Sequence, residues 1–339
     1  MYFKQSFSNI QIFLSGLKYL NIPKLINLFQ ILFSYFISIF SDKITGKHAP
    51  FFLSVEPADF CQLECPECPV GINKRKQGNK IDISLFNKLI SEQKETLFHL
   101  IFYFQGEPLL NKNLAEMISI AHKAGIFTST STNAQLLNSQ MAKSLVESGL
   151  DKLIISMDGA TQKVYEKYRI GGKLSLAIKG VEEINYWKKQ LKSPTPFVEI
   201  QFVVFKTNEH QLNEMKHLAR KLNADRLSFK SAQLYNFENG HPLLTSFKKF
   251  ARYKQNENGK YELKAKMKNS CYRLWSGAVI NTQGDVLPCC FDKNASHTFG
   301  NLNSESFATI YQNKKASGFR TGILTNRKQF EMCRNCTSK

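Results

Sequence analysis

From residue 51 onward, short apolar runs alternate with longer stretches whose apolar positions recur every three or four residues. The runs 51–55, 100–104, 127–131, 152–157, 198–205 and 226–230 read as buried parallel strands. Helical patterns lie between them. Residues 114–124 stop at Gly125, and 138–148 begin at a capping Asn138 and stop at Gly149. Residues 208–223 place Leu212, Met215, Leu218, Ala219 and Leu222 on one face. This alternation predicts an α/β fold with a parallel sheet and crossover helices. Six strand–helix units are too few for a closed eight-stranded barrel, so a partial (β/α)6 barrel, open on one side, is expected.

The flanks read differently. Residues 25–41 carry no charge and reach the lower length limit of a membrane span. Asn27, Gln30, Ser34, Ser38 and Ser41 recur as a narrow polar stripe on a helix that Pro23 would start. Leu28, Phe29, Ile31, Leu32, Phe36, Ile39 and Phe40 fill the other faces, and an amphipathic segment is expected over residues 10–20. The stripe favours packing on the main domain or a partner, ahead of a membrane interface and then a span. Residues 236–268 are polar and basic and read as a linker. After them comes a compact cysteine-bearing module with a hairpin signal, Ala278 to Asn281, a turn at Gln283-Gly284-Asp285, then Val286-Leu287. Four segments are therefore expected: N-terminal helices at 1–48, the barrel at 49–235, the linker at 236–268 and the module at 269–339.

The formal charge of +19 suits a soluble basic surface, an acidic partner or an anionic membrane. No nucleic-acid module is visible, and no nucleic-acid partner is expected. Eight cysteines in 339 residues do not resemble a small disulfide scaffold, and no convincing signal peptide precedes them. A reducing, cytoplasmic location is expected, with peripheral membrane contact through residues 10–41 kept open and the cysteines serving as metal ligands.

Cys61-x3-Cys65-x2-Cys68 follows the first strand. Three thiolates from one loop leave a metal centre one ligand short, whereas structural zinc closes with four. An iron–sulfur cube held by three cysteines keeps one iron open. This motif resembles the cluster loop of the radical S-adenosylmethionine (radical SAM) superfamily. Further segments at later strand ends share the resemblance. Gln105-Gly106-Glu107-Pro108 is similar to the family's Gly-Gly-Glu-Pro turn, with Gln105 replacing the first glycine. The ends Ser129–Asn133 and Ser156-Met157-Asp158-Gly159, and the segment Arg169-Ile170-Gly171, resemble its cofactor-contacting strand ends. The resemblance implies that Gly106, Glu107, Asn133, Ser156 and Arg169 hold S-adenosylmethionine on a [4Fe–4S] cluster ligated by Cys61, Cys65 and Cys68. Before the third cysteine the family usually has an aromatic residue, where this chain has Glu67.

The C-terminal module contains Cys271, Cys289, Cys290, Cys333 and Cys336. Four thiolates could close a zinc site or hold a fully ligated cluster. Their layout resembles the SPASM/twitch auxiliary-cluster modules, which implies a second [4Fe–4S] cluster on Cys271, Cys289, Cys333 and Cys336. Cys289 is preferred to Cys290 because it directly follows Pro288.

The resemblance implies an enzyme that reductively cleaves S-adenosylmethionine to methionine and a 5′-deoxyadenosyl radical, which abstracts a hydrogen atom from a substrate. One auxiliary cluster would then take the electron of an oxidation. A small molecule or sugar is the favoured substrate, with a peptide or protein as the alternative. A flavodoxin or ferredoxin is the expected reductant. No catalytic base stands out: Asp158, Glu199 and the seven histidines are all candidates. The alternative of another class is a non-enzymatic iron–sulfur or zinc protein.

Overall fold

The computed structural model describes residues 12, 14–41, 44 and 47–337. Residues 10, 11 and 13 of the expected first amphipathic segment lie outside them. In chain order the strands are β1 (Phe52–Val55), β2 (His99–Phe102), β3 (Phe127–Thr132), β4 (Lys152–Ser156), β5 (Phe197–Val204), β6 (Arg226–Ser231), β7 (Tyr253–Gln255), β8 (Tyr261–Leu263), β9 (Gly277–Ile280), β10 (Asp285–Leu287) and β11 (Gly300–Asn301). The first six coincide with the six apolar runs to within two residues at each end. The chain divides into two compact units, each described separately below.

The first unit includes Phe60–Gln77 and Ser129–Ala265. In it β3, β4, β5 and β6 pair in parallel, with Ser129 opposite Lys152, Lys152 opposite Phe197 and Glu199 opposite Arg226. Leu153, Ile155, Val198, Ile200 and Phe202 are buried along these strands. The Ser139–Glu147 helix starts where Asn138 accepts a hydrogen bond from the Met141 amide, and Gly149 takes the left-handed φ of 78° that ends it. Residues 236–268, read as a linker from their charge, contain the β7–β8 hairpin. Phe237, Leu243 and Tyr253 are buried there with Phe205, Ala232 and Leu234. The Tyr253 hydroxyl donates to the Leu234 carbonyl at 3.1 Å and accepts from the Leu234 amide at 2.9 Å.

The second unit includes Gly16–Asp59, Gly78–Thr128 and Lys266–Lys339. Here β1 pairs in parallel with β2 and with β9. The expected hairpin follows as antiparallel β9–β10, with Gly284 at φ 86° in its turn, and β11 pairs with β10. Gly277 opens β9 opposite Phe52, and a β-carbon there would meet the Phe52 ring at 2.3 Å.

The Ile22–Ser41 helix belongs to this second unit and is oriented against simple amphipathic logic. Its buried residues are Lys24, Asn27, Ile31, Ser34 and Ser38, so most of the polar stripe faces the protein. Asn27 donates to the Ala49 carbonyl at 3.1 Å and accepts from the Ala49 amide at 3.0 Å. The Lys24 ammonium donates to the carbonyls of Tyr19 and Gly125, and burial pulls its pKa down. The Tyr35 ring meets Tyr272 and Trp275 edge-on. Meanwhile Phe29, Phe36 and Phe40 are 69%, 64% and 75% exposed. Each large apolar side chain left in water forgoes roughly 1.5–3 kcal/mol of burial. The helix therefore docks on its own unit, as the favoured expectation had it, but through its polar face.

Asn27→Ala removes the two-way bond to Ala49 and leaves half-buried backbone groups unmatched. A loss of about 1–3 kcal/mol in unfolding free energy is expected by denaturant titration. Gln30→Ala, at an exposed position of the same helix, should stay within about 0.5 kcal/mol. Equal effects at the two positions would contradict polar docking.

Candidate active site

The three-cysteine loop is shaped by its own backbone. The Cys61 amide donates to the Arg75 carbonyl at 3.0 Å, and the Cys68 amide to the Cys65 carbonyl at 3.2 Å. A short helix, Pro69–Ile72, starts immediately after Cys68. Gly71 is required there, because a β-carbon would stand 2.5 Å from the Cys65 carbonyl oxygen. The Glu64 amide donates to the Ile170 carbonyl at 3.0 Å, which joins the loop to the segment containing Arg169.

Side chains of the same unit meet the sulfurs. The Cys61 Sγ accepts from the Leu63 amide at 3.4 Å and from the Asn133 Nδ2 at 3.5 Å. The Arg169 Nη1 stands 4.0 Å from the Cys65 Sγ, and its Nε bonds Asp158 at 2.6 Å. Asp158 is fully buried and also accepts from the Val203 amide at 2.6 Å. Burial pushes the Cys65 thiol up, while the Arg169 cation draws it down. Ser156 ends β4 opposite Gln201, two positions before Asp158. Asn133 and Arg169 thus contact the cysteine loop, and much of the Arg169 charge is already committed to Asp158.

Glu67 has a role that local sequence could not reveal. Its carboxylate accepts from the Tyr235 amide at 2.7 Å and pairs with the His241 Nε2 at 3.2 Å. The residue that departs from the family pattern therefore ties the cysteine loop to the segment that follows β6.

Gly106 and Glu107 lie in the second unit, in the turn after β2. Glu107 is 4% exposed, and its carboxylate accepts from the Leu109 amide at 3.2 Å, capping the Pro108–Leu110 turn. The turn itself is held by Glu56, which sequence reasoning missed. The Glu56 Oε1 accepts from the Gln105 amide at 3.2 Å, and the Gly106 amide also bonds this carboxylate. The only sequence signal was an acidic residue placed directly after an apolar strand. Gln105, the departure from Gly-Gly-Glu-Pro, uses its side chain to donate to the Lys293 carbonyl at 2.8 Å.

The second thiol set is also within the second unit. Cys271, Cys289, Cys333 and Cys336 are all buried and line one cavity with Leu274, Phe319 and Arg327. The Arg327 Nη2 is 3.2 Å from the Cys336 Sγ. Burial raises the thiols of Cys271, Cys289 and Cys333. Cys290 instead accepts from the Arg273 Nη1 at 3.0 Å. All eight cysteines are free thiols. A single zinc ion with 2.3 Å bonds needs sulfurs about 3.8 Å apart. Among the described residues, no three Cys, His, Asp or Glu side chains converge tightly enough to hold one metal ion. Thiol-only donor sets with an arginine beside each suit the chemistry of an anionic iron–sulfur cluster.

Glu56 carries a pH signature. Burial foremost, then the charge of Asp59, raises its pKa from 4.5 to about 7. The folded protein therefore holds this proton over a range in which the unfolded chain has lost it. The Glu56 contribution to stability is present below pH 4.5 and is lost as pH rises through about 7. Thermal melts from pH 5 to 8 should show a stability decline of up to about 3 kcal/mol that Glu56→Gln abolishes. A slope unchanged by the substitution would refute this.

Two family descriptions match the chain: radical SAM superfamily over residues 55–222 and SPASM iron–sulfur cluster-binding domain over residues 271–337. A PqqA peptide cyclase of Bradyrhizobium diazoefficiens is 24% identical over 311 residues, covering 85% of this chain and 78% of its own. The fold is shared with the crystal structure of BtrN in complex with AdoMet and 2-DOIA, at TM-score 0.52 and 19% identity over 86% of this chain and 95% of that one. It is also shared with Streptococcus suis SuiB bound to S-adenosylmethionine, at TM-score 0.62 and 17% identity over 85% and 72% of the two chains. The expected α/β fold, with a parallel sheet of the radical SAM type and a C-terminal antiparallel region, is thereby established. The chain belongs to the radical SAM superfamily of enzymes and carries a C-terminal SPASM iron–sulfur cluster-binding domain.

Proposed function

We propose that this enzyme oxidises a small molecule by hydrogen-atom abstraction, using two [4Fe–4S] clusters. One would be held by Cys61, Cys65 and Cys68, and the other by Cys271, Cys289, Cys333 and Cys336. The observation carrying this reading is that one chain holds both a three-thiol loop contacted by Asn133 and Arg169 and a buried four-thiol set beside Arg327. When bound, the open cluster with S-adenosylmethionine supplies the 5′-deoxyadenosyl radical.

The protein's own groups bind and orient. The Arg169 guanidinium offers a cation for the cofactor carboxylate while Asp158 fixes its direction. Glu107 and the Gly106 backbone offer acceptors for an ammonium. Ser156, at the end of β4, offers a hydroxyl for the ribose. Asn133 orients the Cys61 side of the loop. Within the second unit, Phe52, Ser54, Tyr103, Phe104, Arg273 and Cys289 line an open cavity of about 120 Å³. Its rings offer apolar contact and Arg273 adds a cation. A peptide substrate is the second reading, favoured by the peptide cyclase to which the chain is similar over 85% of its length. We place the enzyme in the cytoplasm, with an acidic flavodoxin or ferredoxin as the reductant suited to a charge of +19.

Anaerobic reconstitution should load about eight irons per chain, as two four-iron clusters require. Dithionite should then drive 5′-deoxyadenosine formation. Cys65→Ala should lower that product at least about a hundredfold, a barrier increase of roughly 2.7 kcal/mol, while about four irons remain. Iron uptake without the product would favour an electron carrier, and zinc alone would end the proposal.

A further inference from the structure

The Ile22–Ser41 helix turns Ile22, Ile26, Phe29, Phe33, Phe36 and Phe40 to solvent, each more than half exposed. Phe29 and Phe33 stack at 6.4 Å, and Phe36 and Phe40 lie 4.7 Å apart, so the face carries two ring pairs along the helix. A folded chain that buries Lys24, Asn27, Ser34 and Ser38 while exposing these rings has its helix oriented for something other than water.

Three observations bear on what covers the face. The polar docking runs from Lys24 to Ser38, roughly 21 Å of helix at 1.5 Å per residue. Over that length the helix lies along its own unit, which is incompatible with standing across a bilayer. The backbone segments bonded to it, at Tyr19, Ala49, Thr96 and Gly125, are within two residues in sequence of the exposed lysines Lys18, Lys47, Lys94 and Lys123, with the exposed acids Glu92 and Glu95 beside Lys94. Finally, the whole chain carries a formal +19. Two copies meeting face to face would bring their lysine rims together and repel. An anionic surface would instead be attracted to the rim.

We propose that this face seats in the interface of an anionic lipid bilayer, its rings at the acyl boundary and the flanking lysines among the headgroups. The proposal goes beyond the enzymatic reading and requires neither cluster.

Flotation of the full-length protein with lipid vesicles tests it. Vesicles of phosphatidylcholine with roughly 30% phosphatidylserine should carry the protein upward, and phosphatidylcholine alone or high salt should retain at least about tenfold less. The triple variant Phe29→Ser, Phe36→Ser, Phe40→Ser changes only exposed side chains and should keep its circular dichroism and iron content. It should lose flotation by about tenfold or more. Absence of flotation in the unaltered protein, or equal flotation of the variant, would overturn the proposal. So would a dimer in light scattering that the variant disperses, which would assign the face to a second copy. Resistance to alkaline carbonate would assign a span instead and would overturn it equally.

Discussion

Asp158 and Arg169 meet at 2.6 Å, with the carboxylate wholly buried. Removing one partner from such a pair leaves an uncompensated buried charge, at a cost of about 3–5 kcal/mol. Much of the first unit's candidate site hangs on this contact. Asp158 accepts from the Val203 amide on β5, and its carbonyl takes the Asn208 side chain. Arg169 reaches the Cys65 sulfur, and the next carbonyl, on Ile170, receives the Glu64 amide. One ion pair thereby joins the ends of two parallel strands to the cysteine loop. Glu67 ties the same loop to Tyr235 and His241.

The second unit solves a similar electrostatic problem with different residues. Its four candidate ligands are buried thiols, and burial raises the pKa of three of them, Cys271, Cys289 and Cys333. Arg327, itself 1% exposed and anchored on the Ser270 carbonyl, supplies the compensating cation. Each thiol set thus has an arginine placed beside it. That is the arrangement expected where metal binding must draw protons off the ligands. Glu56, its pKa raised to about 7 foremost by burial, holds the Gln105–Gly106 turn by accepting hydrogen bonds from the two backbone amides.

Strands were legible because buried parallel strands are written as contiguous apolar runs, and 127–131 or 198–205 have no competing reading. The stop at Gly149 and the cap at Asn138 were legible because each rests on a single residue's local geometry. The cysteine motif was legible for the same reason, since its ligands lie within one loop. What escaped was non-local. Glu67 finds its partners far along the chain, and Glu56 acts on a turn contributed by another strand. The apolar positions Phe237, Leu243 and Tyr253 were hidden among the lysines of 236–268. The Ile22–Ser41 helix shows the limit most clearly. Periodicity revealed two faces, but only the bonds of Lys24 and Asn27 reveal which one is buried.

The proposed function requires Cys61, Cys65 and Cys68 to hold a cluster with one iron open to S-adenosylmethionine, in a loop braced by Asp158 and Arg169. Electron paramagnetic resonance of the reduced, reconstituted protein, before and after adding S-adenosylmethionine, tests it most directly. The signal of one cluster should change while that of the fully ligated cluster does not, and Asp158→Asn should weaken the response. A spectrum indifferent to S-adenosylmethionine would contradict it.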